Sequence, residues 1–251
     1  MVDSQVRATV LTNESSLTAV LSHYPSGLIQ PWHRHESGQM SFLLAGSVDE
    51  TTPTSDFRLS GAHCCWKAGS AVHSNRFGPE GALILSLHLR CEEAAGVALP
   101  RGGISWFRMN HEQLSRVLDA VYCGDAFRPD QLWDQLAIVA MDRTTGPVPE
   151  WLMGVRRQLE AAPHAASIVA MAKEAGVHRV HLSREFSRHF GISPTTFRQK
   201  HMVAIALNWI VQHKQPHAIA EHEAGFSDQS HMIRTIKRVI GRNAGRLLKT
   251  L

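Results

Sequence analysis

The last hundred residues of the chain repeat themselves. Leu182-x-Arg184-x-Phe186 recurs fifty positions later as Met232-x-Arg234-x-Ile236, and Phe190-Gly191 recurs as Ile240-Gly241. Residues four apart lie on one face of a helix, so Leu182, Phe186 and Phe190 form one apolar stripe and Met232, Ile236 and Ile240 form its twin. Just ahead of each stripe stand Ala175-Gly176-Val177 and Ala224-Gly225-Phe226. A glycine there readily takes the left-handed conformation that ends one helix and turns the chain into the next. The pattern predicts helix, glycine turn, helix, twice over: a duplicated helix-turn-helix.

Charge sets this region apart. Residues 151–251 carry 15 Lys and Arg against 6 Asp and Glu, whereas residues 1–150 carry 11 against 16. A basic half beside an acidic half points to a polyanionic partner for one half only. At 251 residues there is room for two domains, and 43% hydrophobic with 19% charged residues describes a soluble globular protein. No apolar run approaches the ~18–20 residues that span a bilayer, and MVDSQVRATV lacks the basic start and apolar core of a secretory signal. The expectation is a cytoplasmic protein. Its four cysteines, Cys64, Cys65, Cys91 and Cys123, form no CxxC pair and are expected as reduced thiols.

Up to about residue 100 the chain reads as short strands. Leu17–Leu21, Ser41–Leu44, Cys64–Trp66 and Ala82–Leu89 are apolar runs, punctuated by Gly27, Gly46, Gly61, Gly69 and Gly78. Such a series predicts a β-sandwich or barrel. Residues 110–141 change to a helical period: Leu114, Val117, Leu118 and Val121 share a face, and after Gly124 and Pro129 so do Leu132, Leu136 and Val139. These helices are expected to connect the two halves and to offer a dimer contact. Thr144–Pro149 reads as a linker.

The segments KEAGVHRVHLSREFSRHFGISPTTFRQ and GFSDQSHMIRTIKRVIG closely resemble the signature region of the AraC/XylS family of transcription regulators. The resemblance covers about 166–248 and implies a seven-helix domain whose two helix-turn-helix units are joined by a linker helix, here Pro194–His213. The second helix of each unit is narrow enough to enter the major groove of DNA. Its exposed face would carry Arg179, Val180, Ser183 and Arg184 in the first unit, and Gln229, Ser230, His231 and Arg234 in the second. Arginine suits guanine, glutamine suits adenine, and valine can meet a thymine methyl. Arg188, Lys237, Arg238 and Arg242 are better placed for phosphates, which fix position without reading sequence. The second unit departs from the family pattern. Glu221 stands where a small residue is usual, as Ala172 is in the first unit; Ala220 and His217 replace aliphatics, Ile236 replaces Phe, and Asn243-Ala244 replace Thr-Pro. A buried glutamate at a helix crossing is costly, so this unit is expected to be loosened or shifted in register.

In the N-terminal half, Gly27-x5-His33-x-His35-x3-Gln39-x6-Gly46 resembles the first motif of the cupin superfamily, with Gln39 in place of the usual glutamate. Gly69-x3-His73-x-Asn75 resembles the second, with Lys67 where proline is common. The resemblance implies a small double-stranded β-barrel, a fold that often precedes AraC-type DNA-binding domains as a sensor. His33 and His35, two apart on a strand, would share a face. With His73 from a facing strand and Gln39 as a weaker fourth ligand they would suit Zn, Ni, Fe or Mn. The same histidines could instead line a ligand pocket or pair with Glu36. One of the neighbours Cys64 and Cys65 must face the barrel interior. These two cysteines, with Trp32 and Trp66, are the expected lining of an effector pocket.

The sequence thus predicts a two-domain α+β protein. Residues 1–107 form a cupin-like double-stranded β-barrel that senses a small molecule or metal, 108–149 a helical connector and dimerisation region, and 150–251 an all-α domain with two helix-turn-helix units. Expected partners are double-stranded promoter DNA, a small-molecule effector, a second copy of the chain and, for an activator, RNA polymerase; no membrane is expected. The function read is regulation without catalysis. The alternative is a metal-dependent cupin-type enzyme that carries a DNA-binding domain.

Overall fold

The computed structural model describes residues 5–60, 63–90, 102–109, 111–122 and 148–240. The expected connector helix over 132–139 and most of the Thr144–Pro149 linker lie outside the described residues, as do Cys91, Cys123 and Arg242.

Eight antiparallel strands form one sheet: β1 (Arg7–Asn13), β2 (Leu17–Tyr24), β3 (Ile29–His33), β4 (Gly38–Thr51), β5 (Asp56–Ser60), β6 (His63–Lys67), β7 (His73–Leu89) and β8 (Ile104–Arg108). The two long strands close it into a barrel. The N-terminal half of β4 pairs with β6 and its C-terminal half with β5; β7 pairs with β3 at one end and β2 at the other, and the two run against each other through their whole length. Both are therefore shared between two layers. The β4–β7 register slips twice: Leu44 is a bulge on β4 between Leu43 and Ala45, and between Gly46 and Val48 the extra residues, 78–81, are on β7. At the corner Gly46 has φ +84°, and a Cβ there would sit 2.0 Å from the Gly81 carbonyl oxygen, so only glycine lets the two strands cross so closely.

Helix α1 (His111–Tyr122) follows the barrel, with Leu114, Val117, Leu118 and Val121 buried on one face as their spacing predicts. The C-terminal helices are α2 (Glu150–Ala161), α3 (Ile168–Glu174), α4 (Arg179–Phe190), α5 (Pro194–Leu207), α6 (His217–Glu223) and α7 (Gln229–Ile240), with a π turn at Asn208–Gln212 after α5. The expected linker helix Pro194–His213 is thus α-helical only to Leu207. Caps are local: Ser167 accepts from Ala170 N–H, Ser193 from Thr196 N–H, and Asp228 Oδ1 from His231 N–H at 2.7 Å.

Both predicted stripes are buried. They belong to different cores. Leu182, Phe186 and Phe190 join α2, α3 and the start of α5 in a core of their own. Met232, Ile236 and Ile240 join the end of α5, the barrel's outer face and α1. The inward side of the barrel carries a third, smaller apolar cluster that includes Leu43, Val48, Leu59, Cys65 and Phe77.

Candidate functional site

The two helix-turn-helix units are built alike. In the first, Gly176 has φ +69°, its N–H donates to Lys173 O, and Val177 N–H donates to Ala172 O. In the second, Gly225 has φ +75°, its N–H donates to His222 O, and Phe226 N–H donates to Glu221 O. Of the expected loosening or register shift of the second unit, this repeat of the turn shows no loosening. Ala220 takes the fully buried position while Glu221 stays part-exposed, so no carboxylate is buried at the helix crossing. The turns lie 49 residues apart, but the stripes lie 50 apart. The second unit absorbs one extra residue at Ser227-Asp228 before α7 begins.

With the stripes facing inward, Arg179, Val180 and Arg184 on α4 are exposed and Ser183 is half-buried. On α7, Gln229, Ser230 and Arg234 are exposed and His231 is half-buried. Two of these side chains are engaged: Gln229 with His217, and His231 with the Ser227 hydroxyl, each at 3.1 Å. Of the expected phosphate contacts, Lys237 is exposed, Arg238 donates to Gln199, and Arg188 forms an ion pair with Glu185 at 2.7 Å. Arg188 must exchange that partner to meet a phosphate.

The barrel interior holds a cavity of about 50 Å³, lined by the polar residues His33, His35, His73, Gln39, Glu50 and Lys67 and by apolar ones such as Leu43 and Phe77. The ring nitrogens of His33, His35 and His73 lie within 4.8 Å of one another. His33 sits at the end of β3, but His35 lies past the strand in the following turn, so it is the turn rather than strand alternation that aims it. His33 Nδ1 is 2.7 Å from Pro31 O and His73 Nδ1 is 3.1 Å from Ala71 O. A backbone carbonyl at Nδ1 keeps the proton there and leaves Nε2 a bare lone pair, the usual outer support of a metal-binding histidine. His73 Nε2 is buried and accepts no hydrogen bond among the described residues. Burial, reinforced by the neighbouring His and Lys67 charges, lowers the pKa of His35 to about 3. Burial and Lys67 lower that of His73 to about 4. Both are uncharged at neutral pH. The donor set therefore fits a divalent transition metal after a small contraction, because ligands at ~2.0–2.1 Å from one ion stand closer together than 4.8 Å.

Gln39 lines the same cavity but is held elsewhere: its Nε2 donates to Ser86 Oγ at 2.9 Å, and its buried Oε1 has no partner among the described residues. The residues that sequence reasoning missed are Glu50 and Lys67 as a pair. Lys67 Nζ lies 3.0 Å from Glu50 Oε1; Glu50 Oε2 accepts from Cys65 Sγ and from Trp106 Nε1; and Glu50 Oε1 is 4.0 Å from His73 Nε2. Burial alone would raise the Glu50 pKa, but Lys67 and these donors bring it below its ordinary value. The signal for the pair is a charged residue within an otherwise buried strand, on each of two strands.

The four residues expected to line an effector pocket do not line this cavity. Cys64 and Trp66 point to the barrel's other face and join the core shared with the helices. Cys65 faces inward beneath the cavity, where burial pushes its thiol pKa well up. Trp32 is 54% exposed.

Residues 171–250 match the helix-turn-helix domain family. No curated protein matches the chain. Among solved structures, the N-terminal part is similar to a cupin superfamily protein from Desulfitobacterium hafniense (14% identity, 34% of this chain and 77% of that one, TM-score 0.32). It is also similar to KdgF from a Halomonas species (18%, 36% and 83%, TM-score 0.31) and to the cupin domain of Cnp3 from Schizosaccharomyces pombe (20%, 38% and 72%, TM-score 0.33). Among the described residues no helix is long and apolar enough to cross a membrane. The chain carries a helix-turn-helix domain behind an antiparallel β-barrel.

Proposed function

We propose that the protein is a sequence-specific DNA-binding transcription regulator, divided into a sensor (1–107), a connector that offers a dimer contact (108–149) and a DNA-binding domain (150–251). One observation carries the reading. Each unit turns its apolar stripe inward, and that leaves Arg179, Val180 and Arg184, or Gln229, Ser230 and Arg234, on the solvent side. These residues, with Ser183 and His231, are assigned to base edges; Arg188, Lys237, Arg238 and Arg242 are assigned to phosphates. Promoter DNA is the partner, and RNA polymerase joins it if the protein activates.

The barrel is assigned to sensing. His33, His35 and His73 would hold one Zn, Ni, Fe or Mn ion, with Gln39 nearby, and the ion would supply a coordination site for a small ligand. The cavity limits what can accompany it. A single water needs about 10–15 Å³, so the space admits a metal ion with a few waters or one small polar molecule. Glu50 favours a second reading, a metal-dependent cupin-type enzyme, because its carboxylate stands 4.0 Å from His73 Nε2, beside the triad.

The test is fluorescence anisotropy of the full-length protein on its own upstream DNA and on scrambled DNA, with added Zn²⁺ and with a chelator. Sequence-specific binding that weakens steeply with salt supports the regulator. A change on chelation that is lost in H73A places the metal in the switch. Equal binding to both DNAs defeats sequence-specific recognition, and metal-dependent turnover in a substrate screen favours the enzyme.

A further inference from the structure

The helix between the two DNA-binding units is seated on the barrel wall. Helix α5 packs against β4 and β7, and two consecutive residues put polar ends into that contact. Lys200 is buried and its Nζ donates to Leu43 O at 3.0 Å. His201 is fully buried, and its Nδ1 lies 3.1 Å from Glu80 Oε1, the same oxygen that accepts from Ser47 Oγ at 2.7 Å.

Leu43 and Ser47 are special points on β4. The register against β7 slips twice: Leu44 is an extra residue on β4 between the pairs Leu43–Ile84 and Ala45–Leu83, whereas between Gly46–Ala82 and Val48–Phe77 the extra residues are on β7, where 78–81 face Ser47 alone. A bulge disrupts the hydrogen-bond ladder and leaves the strand locally free to change its bend. Lys200 takes the carbonyl at the β4 bulge; His201 meets Glu80 within the β7 insertion, where Glu80 accepts from the Ser47 hydroxyl opposite it. Leu43 and Val48, which flank the two irregularities, also line the histidine cavity. A methionine at position 200 would fill a similar volume without the cost of burying an ammonium. A buried polar anchor of this kind is well suited to fixing one register of contact.

Resting on the sensor reading of the cavity, we infer that the two irregularities of the β4–β7 ladder, the β4 bulge at Leu44 and the β7 insertion opposite Ser47, are the element that couples cavity to DNA-binding domain. An occupant that displaces Leu43 or Val48 changes the seat of Lys200 and His201, and with it the stance of the helix that joins both helix-turn-helix units.

Hydrogen–deuterium exchange of the full-length protein tests this without knowledge of the effector. L43A removes a cavity-wall side chain but keeps the carbonyl that Lys200 uses. L59A removes a side chain from the same wall on β5, which receives neither Lys200 nor His201. Coupling predicts that amides of 194–207 exchange at least about fivefold faster in L43A and at the wild-type rate in L59A. Wild-type exchange of α5 in L43A, or an equal rise in L59A, overturns the inference. If the alanine variants lose their cooperative melt, L43V and L59V are compared in the same way. Zn²⁺ supplies a second arm: binding at the triad should change α5 exchange in the wild type and not in K200M. Zn²⁺ that binds and leaves α5 unchanged counts against the coupling. Zn²⁺ that does not bind defeats the metal reading instead, and the comparison of Leu43 with Leu59 still decides.

Discussion

Alanine at the two turn glycines should separate backbone strain from crowding. Gly176 and Gly225 have nearly the same left-handed φ, +69° and +75°. Alanine in that conformation costs about 1–2 kcal/mol. Their surroundings differ. A Cβ on Gly176 meets nothing within 4 Å, whereas one on Gly225 lies 2.7 Å from His164 Cβ and 2.8 Å from its Cγ. These atoms sit close to the backbone and cannot swing away, so relieving the overlap adds about 1–3 kcal/mol. G176A should therefore cost about 1–2 kcal/mol and G225A about 2–5. At about 2–4 °C per kcal/mol for a chain of this size, thermal unfolding followed by circular dichroism resolves the two. Asparagine tolerates the left-handed region, so G176N should recover most of the loss while G225N should not. A neutral G176A would refute the left-handed turn, and a G225A no worse than G176A would refute the contact with His164.

Four further outcomes follow from the geometry. Burial lowers the Lys200 pKa from 10.5 to about 7; the unfolded chain then binds more protons than the folded one between about pH 7 and 10.5, so this residue makes stability rise with pH across that window, by at most about 5 kcal/mol. Denaturant titrations of K200M should show a flatter profile there, and an unchanged slope would mean that Lys200 is not buried. H73A should lower Zn²⁺ affinity at least about tenfold, read by competition with a chromogenic chelator. R184A should weaken operator binding by about 1–3 kcal/mol and relax preference at one base pair; a loss equal on all sequences would reassign Arg184 to a phosphate. Cys64 and Cys65 should resist iodoacetamide in the folded protein and react once it is unfolded, because both are fully buried; peptide mass spectrometry reads the difference, and rapid labelling of either cysteine in the native state would contradict it.

Local pattern carried much of the C-terminal domain. The stripes at 182/186/190 and 232/236/240 and the glycines at 176 and 225 announce themselves because helix periodicity and left-handed turns are properties of neighbouring residues. The barrel is harder. Most of β4 is buried on both faces, one against the cavity and one against helices, so its apolar run shows no alternation from which to tell inside from outside. That is why Cys64 and Trp66 were expected in the cavity although they face the helices. The Glu50–Lys67 pair meets across the barrel interior from residues that are not partners in the sheet, which no local spacing reports. Glu221 misled for a related reason: a position matched to a family pattern says which residue is usual there, not how far the helix has rotated.

The division of the apolar cores bears on how such a protein could be inherited in parts. The first helix-turn-helix unit closes a core of its own, but the second completes its core only against the outer face of the barrel and α1. A recombination event that cut near residue 150 and supplied a different sensor would carry the first unit across intact. It would leave the second with Met202, Leu207, Met232 and Ile236 seeking a new surface. The sensor and the second unit are thus tied into one evolutionary parcel, and a new N-terminal partner must bring a compatible wall as well as a new cavity.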